Sequence, residues 1–233
     1  MEEKEIILSA RGVKKCFRNG AGEDFYVLKG IDIDIYRGTL TILKGRSGSG
    51  KTTLINALST LDEPTYGEIE FDGVFYKDLT EEDKEALRRN KIGFVFQSVA
   101  LVPIMTAYEN VDFALRLKDD REKMTEEERD ERIRHVLSLV GMEDRMMHMP
   151  NQMSGGEQQR IAIARACVNK PKLIFADEPT GALDTETGIK VMKLFKELIQ
   201  QENITIVMTT HDPNLMELGD VVYEMEDGEL IER

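Results

Sequence analysis

The chain has 233 residues, 41% of them apolar, enough to bury one large core or a core with an attached subdomain. Its formal charge of −13 argues against a surface that neutralises phosphates over long distances, so nucleic acid is not expected as the main partner. No apolar run is long enough to cross a bilayer, the start Met1-Glu2-Glu3-Lys4-Glu5 has the wrong charge for a signal peptide, and Cys16 and Cys167 lie far apart, which together read as a protein of a reducing cytoplasm.

In chain order, short β-like runs come first: Ile6-Ile7-Leu8, then residues 13–17, a turn at Asn19-Gly20-Ala21-Gly22, and residues 26–35. They read as a β-rich flap. An apolar strand at residues 39–43 follows, then Gly45-Arg46-Ser47-Gly48-Ser49-Gly50-Lys51-Thr52, then a helical pattern over residues 53–61. The eight residues match GxxxxGK[ST], in which backbone N–H groups and a helix N-terminus converge on phosphate oxygens while Lys51 adds a point charge. The alternative is a glycine-rich turn that merely reverses the chain. If phosphate is the ligand, Thr52 offers its hydroxyl to Mg²⁺ and Thr53 continues the phosphate-binding set.

Pro64-Thr65-Tyr66-Gly67 reads as a turn, residues 68–71 as a strand, residues 80–90 as a polar helix with a good N-cap, and residues 92–96 as a buried strand. From Gln97 to about Lys170 helix signals dominate, including a capping box at Thr125-Glu126-Glu127-Glu128. This stretch reads as a helical insert, and the charged run over residues 118–134 as a solvated helix face. The apolar run Val99-Ala100-Leu101-Val102-Pro103-Ile104-Met105 fits either core or a surface that receives a partner helix. Met142, Met146, Met147, Met149 and Met153 fit either core filling or the same receiving groove.

After the insert come a strand ending in Asp177-Glu178, a helix over about residues 187–201, a strand over residues 205–210 and a hairpin turning at Asp227-Gly228. Strands alternating with helices predict an α/β fold with a mainly parallel sheet. Ligands then lie beyond the strands' carboxyl ends, where the glycine-rich loop, Asp177 and His211 fall. Asp177 suits a Mg²⁺ ligand and Glu178 the base that orients water, although Asp-Glu-Pro alone also reads as a strand-end turn. Ser154-Gly155-Gly156-Glu157-Gln158-Gln159-Arg160 opens an apolar-periodic helix. It is compatible with a capping box, Ser154 with Glu157, and at once with an anion site.

This last segment, with the phosphate loop and Asp177-Glu178, resembles the signature set of ABC transporter ATP-binding subunits, and the resemblance runs along nearly the whole chain. It implies a P-loop NTPase of ABC type: residues 1–96 and 171–233 form an antiparallel β subdomain plus core, and residues 97–170 the helical subdomain and signature helix. It implies ATP and Mg²⁺ as ligands. Gln97 then resembles the glutamine that approaches Mg²⁺ and the attacking water, His211 the residue contacting the γ-phosphate, Asp184 in Gly181-Ala182-Leu183-Asp184 an aspartate at a dimer interface, and Phe17 an aromatic stacking on adenine, with Tyr26 as its substitute. Met153, Glu157 and Arg46 depart from the usual family wording; Glu157 puts an acid beside a phosphate site, and Arg46 faces either phosphate or solvent.

The resemblance further implies that two copies sandwich two ATP molecules head to tail, Ser154, Gly155 and Gly156 of one completing the site of the other. It implies a membrane permease supplied by a separate chain, which places the protein on the inner face of the cell membrane. The wording is most similar to the macrolide-exporter and lipoprotein-release branch, with bacitracin-type peptide-resistance ATPases close by. Within that branch a signalling ATPase of the cell-division type is the alternative to a transporter. Members that act on DNA or ribosomes carry long arms, zinc modules or a second nucleotide domain, none of which is written here.

Overall fold

The computed structural model describes residues 5–18, 20, 22–117 and 124–231. Two sheets carry it. The first is antiparallel, in the order β2-β1-β4-β5, from β1 (Ile6–Arg18), β2 (Asp24–Tyr36), β4 (Tyr66–Phe71) and β5 (Val74–Phe75). The second has the order β10-β9-β3-β8-β7-β6, from β3 (Leu40–Lys44), β6 (Ile92–Val95), β7 (Leu173–Ala176), β8 (Thr205–Thr210), β9 (Val221–Glu226) and β10 (Glu229–Ile231). Its strands are parallel except for β10, which closes the hairpin at Asp227-Gly228.

The central strands are buried on both faces, as a covered parallel sheet requires, and their period-two alternation sorts side chains between two cores. Leu40, Ile42, Ile174, Ala176, Ile206 and Met208 enter the core shared with α3 (Ala107–Arg116), α4 (Glu126–Leu139), α5 (Gly155–Cys167) and α6 (Thr185–Glu202). Leu43, Leu173, Phe175 and Val207 face the other way, into the core shared with the first sheet and α1 (Lys51–Leu58). Helix α2 (Glu81–Lys91) runs into β6. The expected helical insert is present: no strand lies between β6 and β7 among the described residues. No described helix is long and apolar enough to cross a membrane. Both cysteines are free.

Capping explains where the helices begin. Thr80 with Asp83, Thr106 with Glu109, Thr125 with Glu128 and Ser154 with Glu157 form reciprocal boxes at α2, α3, α4 and α5. Asp184 caps α6 from its side chain.

Several expectations need correction. Residues 6–8 and 13–17 form one strand, bent at register shifts rather than interrupted. Tyr66 and Gly67 open β4 instead of ending a turn, because β4 pairs with β1 and returns the chain to the first sheet. The expected turn at Asn19-Gly20-Ala21-Gly22 falls partly outside the described residues, as does the start of the charged run at 118–134. Within that run Arg132 is not solvated: it is 7% exposed, donates to Cys167 O and Val168 O at the end of α5, and pairs with Glu202. The five methionines do not act together. Met142 and Met153 are core, Met146 packs against it, and Met147 and Met149 are exposed, so no shared groove gathers them.

Candidate nucleotide site

Of α1 to α6, α1 alone has no side-chain cap and no acid in its first turn. Its first N–H groups therefore lack the partner that the sequence supplies to α2 through α6, and an anion fits that end. Gly50 occupies the cap with φ of 103°, a left-handed conformation that side-chain-bearing residues rarely take. Lys51 is buried, with Nζ donating to the loop's own carbonyls, Gly45 O at 2.8 Å and Arg46 O at 2.9 Å. The ammonium is thus held at the loop, beside the free end of α1. Arg46, Ser47 and Gly48 are exposed, whereas Ser49 is buried with an unpartnered hydroxyl. Thr53 is half-buried.

From this loop a hydrogen-bonded chain crosses the ends of β7 and β8. Thr52 Oγ1 donates to Asp177 Oδ2 at 2.9 Å, and Thr209 Oγ1 donates to Asp177 Oδ1 at 2.7 Å. The Thr209 hydroxyl in turn accepts from Glu178 N at 2.8 Å. His211 Nδ1 lies 3.3 Å from Glu178 Oε1. Glu178 itself has φ of 43°, a conformation costing a non-glycine residue about 1 kcal/mol or more, sustained here by the Thr209 bond and by Gly181 N donating to Glu178 O. Gln97 reaches the same place: a Cβ added at Gly181 would lie 3.2 Å from Gln97 Nε2 and 3.4 Å from Glu178 Oε2. A cavity of about 290 Å³ opens between Glu178, Gly181, Thr210 and His211.

Sequence reasoning placed Lys51, Thr52, Gln97, Asp177, Glu178 and His211 in one site, and the fold brings them together. It missed Thr209, which holds both acids. Its signal was weak, a hydroxyl at the end of an apolar strand opposite another strand ending in Asp-Glu. Phe17 stands apart from this chain of contacts, 45% exposed near the end of β1, with Lys15 Nζ 5.2 Å above its ring. Tyr26 pairs with Cys16 rather than Phe17, which puts it on the opposite face of the sheet, so it does not share Phe17's position.

A second constellation is separate. Ser154, Gly155, Gly156, Glu157, Asp184 and Thr187 line a cavity of about 280 Å³ that includes no residue of the glycine-rich loop. Ser154 Oγ accepts from Glu157 N and Glu157 Oε2 accepts from Ser154 N. The bond from Ser154 N, with the Ser154 hydroxyl beside it, holds the Glu157 carboxyl below its usual range and turns the acid back on its own helix. Asp184 is likewise committed, accepting from Thr187 Oγ1 at 2.7 Å and Thr187 N at 3.0 Å, which keeps its carboxyl below the usual range.

The ABC transporter family model matches residues 28–181. The uncharacterized ABC transporter ATP-binding protein MJ0796 of Methanocaldococcus jannaschii is 43% identical over 225 residues, 96% of this chain and 95% of that one. The lipoprotein-releasing system ATP-binding protein LolD 2 of Rhodopirellula baltica is 41% identical over 226 residues, covering 96% and 88%. The macrolide export ATP-binding/permease protein MacB of the same organism is 46% identical over 217 residues, which are 93% of this chain but 31% of MacB. A dimeric, post-hydrolysis structure of the MJ0796 cassette bound to ADP and Pi aligns over 97% of both chains at 42% identity, with a TM-score of 0.87. With the glycine-rich loop, the Asp177-Glu178 pair and this extent of likeness in hand, the chain belongs to the ABC transporter family, as an ATP-binding cassette that hydrolyses ATP.

Proposed function

We propose that the chain is the motor of an exporter, in which two copies close head to tail around two ATP molecules and drive a membrane permease. One observation carries the shared site: Ser154, Gly155 and Gly156 open into a different cavity from Glu178 and His211. A helix N-terminus with two glycines suits a γ-phosphate, and a second copy brings one to it. The dimeric MJ0796 structure bound to ADP and Pi supports this arrangement.

In that site Lys51 and the free N–H groups of α1 bind phosphate. Glu178 orients the attacking water and takes its proton at a carboxylate oxygen, with Gln97 beside it and His211 placed on the γ-phosphate side. Phe17 stacks on the base, and Asp184 meets the partner copy. A hard, oxygen-only donor set, Thr52 Oγ1 and Asp177 Oδ2 already 2.9 Å apart, suits Mg²⁺, and Gln97 would join it through its amide oxygen. The ion there would neutralise charge developing on the phosphates.

The membrane side reads onto a groove of about 640 Å³ lined by Phe96, Ala100, Val102, Phe113 and Leu117, with Arg88 and Arg89 in its wall. Phe96, Phe113 and Leu117 are 40%, 45% and 54% exposed, an apolar surface suited to a short helix of a permease that stations the cassette at the membrane. Leu101 packs against the core instead of lining the groove. Export or extraction of a lipoprotein, peptide or drug is the transport that likeness to LolD and MacB favours.

Light scattering on Glu178→Gln tests the shared site. Removing the base lowers turnover by about 10²- to 10⁴-fold while the phosphate-binding groups stay, so the particle should double in mass only with Mg-ATP. A chain that binds ATP and stays single at saturation refutes the paired mechanism.

A further inference from the structure

From Phe96 to Met105 the chain leaves β6, passes Gln97 and runs beside the groove with no regular secondary structure. Two side chains from the helical region fix it. Asn110, on α3 and 1% exposed, accepts from Val102 N at 2.7 Å and donates to Val102 O, Met105 O and Thr106 O at 3.2, 3.0 and 2.9 Å. Nearer to Gln97, Arg165 on α5 donates from Nη1 to Ala100 O at 2.6 Å and from Nη2 to Val99 O at 3.1 Å. Ala100 has φ of 48°, a left-handed turn that aims its carbonyl at the guanidinium.

Arg165 is an expensive choice for packing alone. Its partners are two neutral carbonyls, and burial pulls the guanidinium below its ordinary pKa. An apolar side chain would fill the same space without that cost. What the planar fork adds is a two-point grip on consecutive carbonyls, which fixes orientation as well as distance.

The grip lies on the helix whose first turn carries Ser154 to Glu157. Ten residues separate Gly155 from Arg165, about 15 Å along a rigid α-helix. A second tie joins the same helix to the strand just before this segment: β6 and α5 approach so closely that a Cβ on Gly93 would lie 2.6 Å from Ala166 O. Strand β6 and the segment after it are therefore attached to α5 on both sides of Gln97.

We propose that Arg165 is a positioning residue that couples the anion-binding end of α5 to Gln97. A displacement of α5 as its N-terminus takes up a phosphate is carried along the helix to Val99 and Ala100, and Gln97, two residues upstream of Val99, is set or withdrawn with them. The inference rests on the reading of Gln97 as part of the catalytic machinery. Arg165 also lines the groove, so a partner seated there bears on the same grip.

A double-mutant cycle on the full chain tests it, with ATPase kcat, KM for ATP and thermal melting measured for wild type, Gln97→Ala, Arg165→Met and the double variant. Expected are a drop of about tenfold in kcat for Arg165→Met, a KM within about twofold, and a double variant no slower than Gln97→Ala alone. Arg165→Lys, which retains the charge and stem but lacks the planar fork, should recover part of the loss, and it carries the cycle if Arg165→Met does not fold. If the two losses multiply, or if Arg165 variants lower the melting temperature and leave kcat intact, the coupling is refuted while Gln97 keeps its role. If Gln97→Ala itself turns over at the wild-type rate, both readings fall.

Discussion

Thr209→Val removes one buried oxygen with almost no change of shape, and two contacts go with it. The hydroxyl accepts from Glu178 N at 2.8 Å and donates to Asp177 Oδ1 at 2.7 Å, and Thr209 is fully buried. Leaving the Glu178 N–H without a partner costs about 1–3 kcal/mol, and losing a bond to a carboxylate costs about 1.5–3 kcal/mol, part of which water recovers because Asp177 is half-buried. The sum is a loss of about 2–4 kcal/mol, worth roughly 4–16 °C in melting temperature for a chain of this size. The kinetic effect is separate. Glu178 holds a left-handed φ that the lost bond helps to sustain, so its carboxylate relaxes from position, and a misplacement of about 1 Å costs about 10²-fold in rate. Circular dichroism melts and steady-state ATPase assays at saturating Mg-ATP read the two effects independently. A variant that melts within 1 °C of wild type and turns over within about twofold of it would refute the assignment of Thr209 as the support of both acids.

Burial would raise the Asp72 carboxyl, but hydrogen bonds from Lys172 and Arg37 outweigh it and hold it at about 2. The folded value lies below the unfolded one, so this stability is complete above about pH 4 and is lost as pH falls through about 2; Asp72→Asn should lose about 2 kcal/mol at pH 7 and show a shallower acid denaturation curve, and an unchanged acid limb would contradict this. Gly93→Ala forces a Cβ to 2.6 Å from Ala166 O, a backbone atom that cannot rotate away, so urea denaturation should show a loss of about 1–3 kcal/mol, with turnover falling as β6 and Gln97 shift; wild-type stability would mean that α5 yields more easily than its packing implies.

Much of the site was legible because its chemistry is local. The glycine-rich loop, the Asp177-Glu178 strand end, the N-cap at Thr80 and the boxes at Thr125 and Ser154 are each written within a few residues, since caps and phosphate cradles are made by neighbouring backbone. The parallel core was readable from alternation of strands and helices, and so was the place of His211 at the ligand end of the sheet, whereas its role came from the family resemblance. What escaped was set by contacts between distant parts of the chain. Glu68 to Phe71 reads as a strand, but nothing in those residues says that it pairs with β1 across some sixty positions. Arg132 sits in a run of charges whose pattern is that of a solvated face, and only the arrival of the α5 C-terminus and Glu202 makes it a buried partner. The methionines look like one cluster in the sequence, while the turns of the insert send some into the core and others to solvent. Thr209 carries only a weak local signature and Arg165 none: a threonine ending a strand and an arginine in a helix acquire their roles from the carboxylate or carbonyls that folding places opposite them. The sequence by itself determined which chemistry this chain performs, because phosphate binding uses backbone and side chains within single loops; the tertiary structure alone decided which residues hold that chemistry in place, because hydrogen bonds across 31 to 66 residues exist only once the sheet and α5 are assembled.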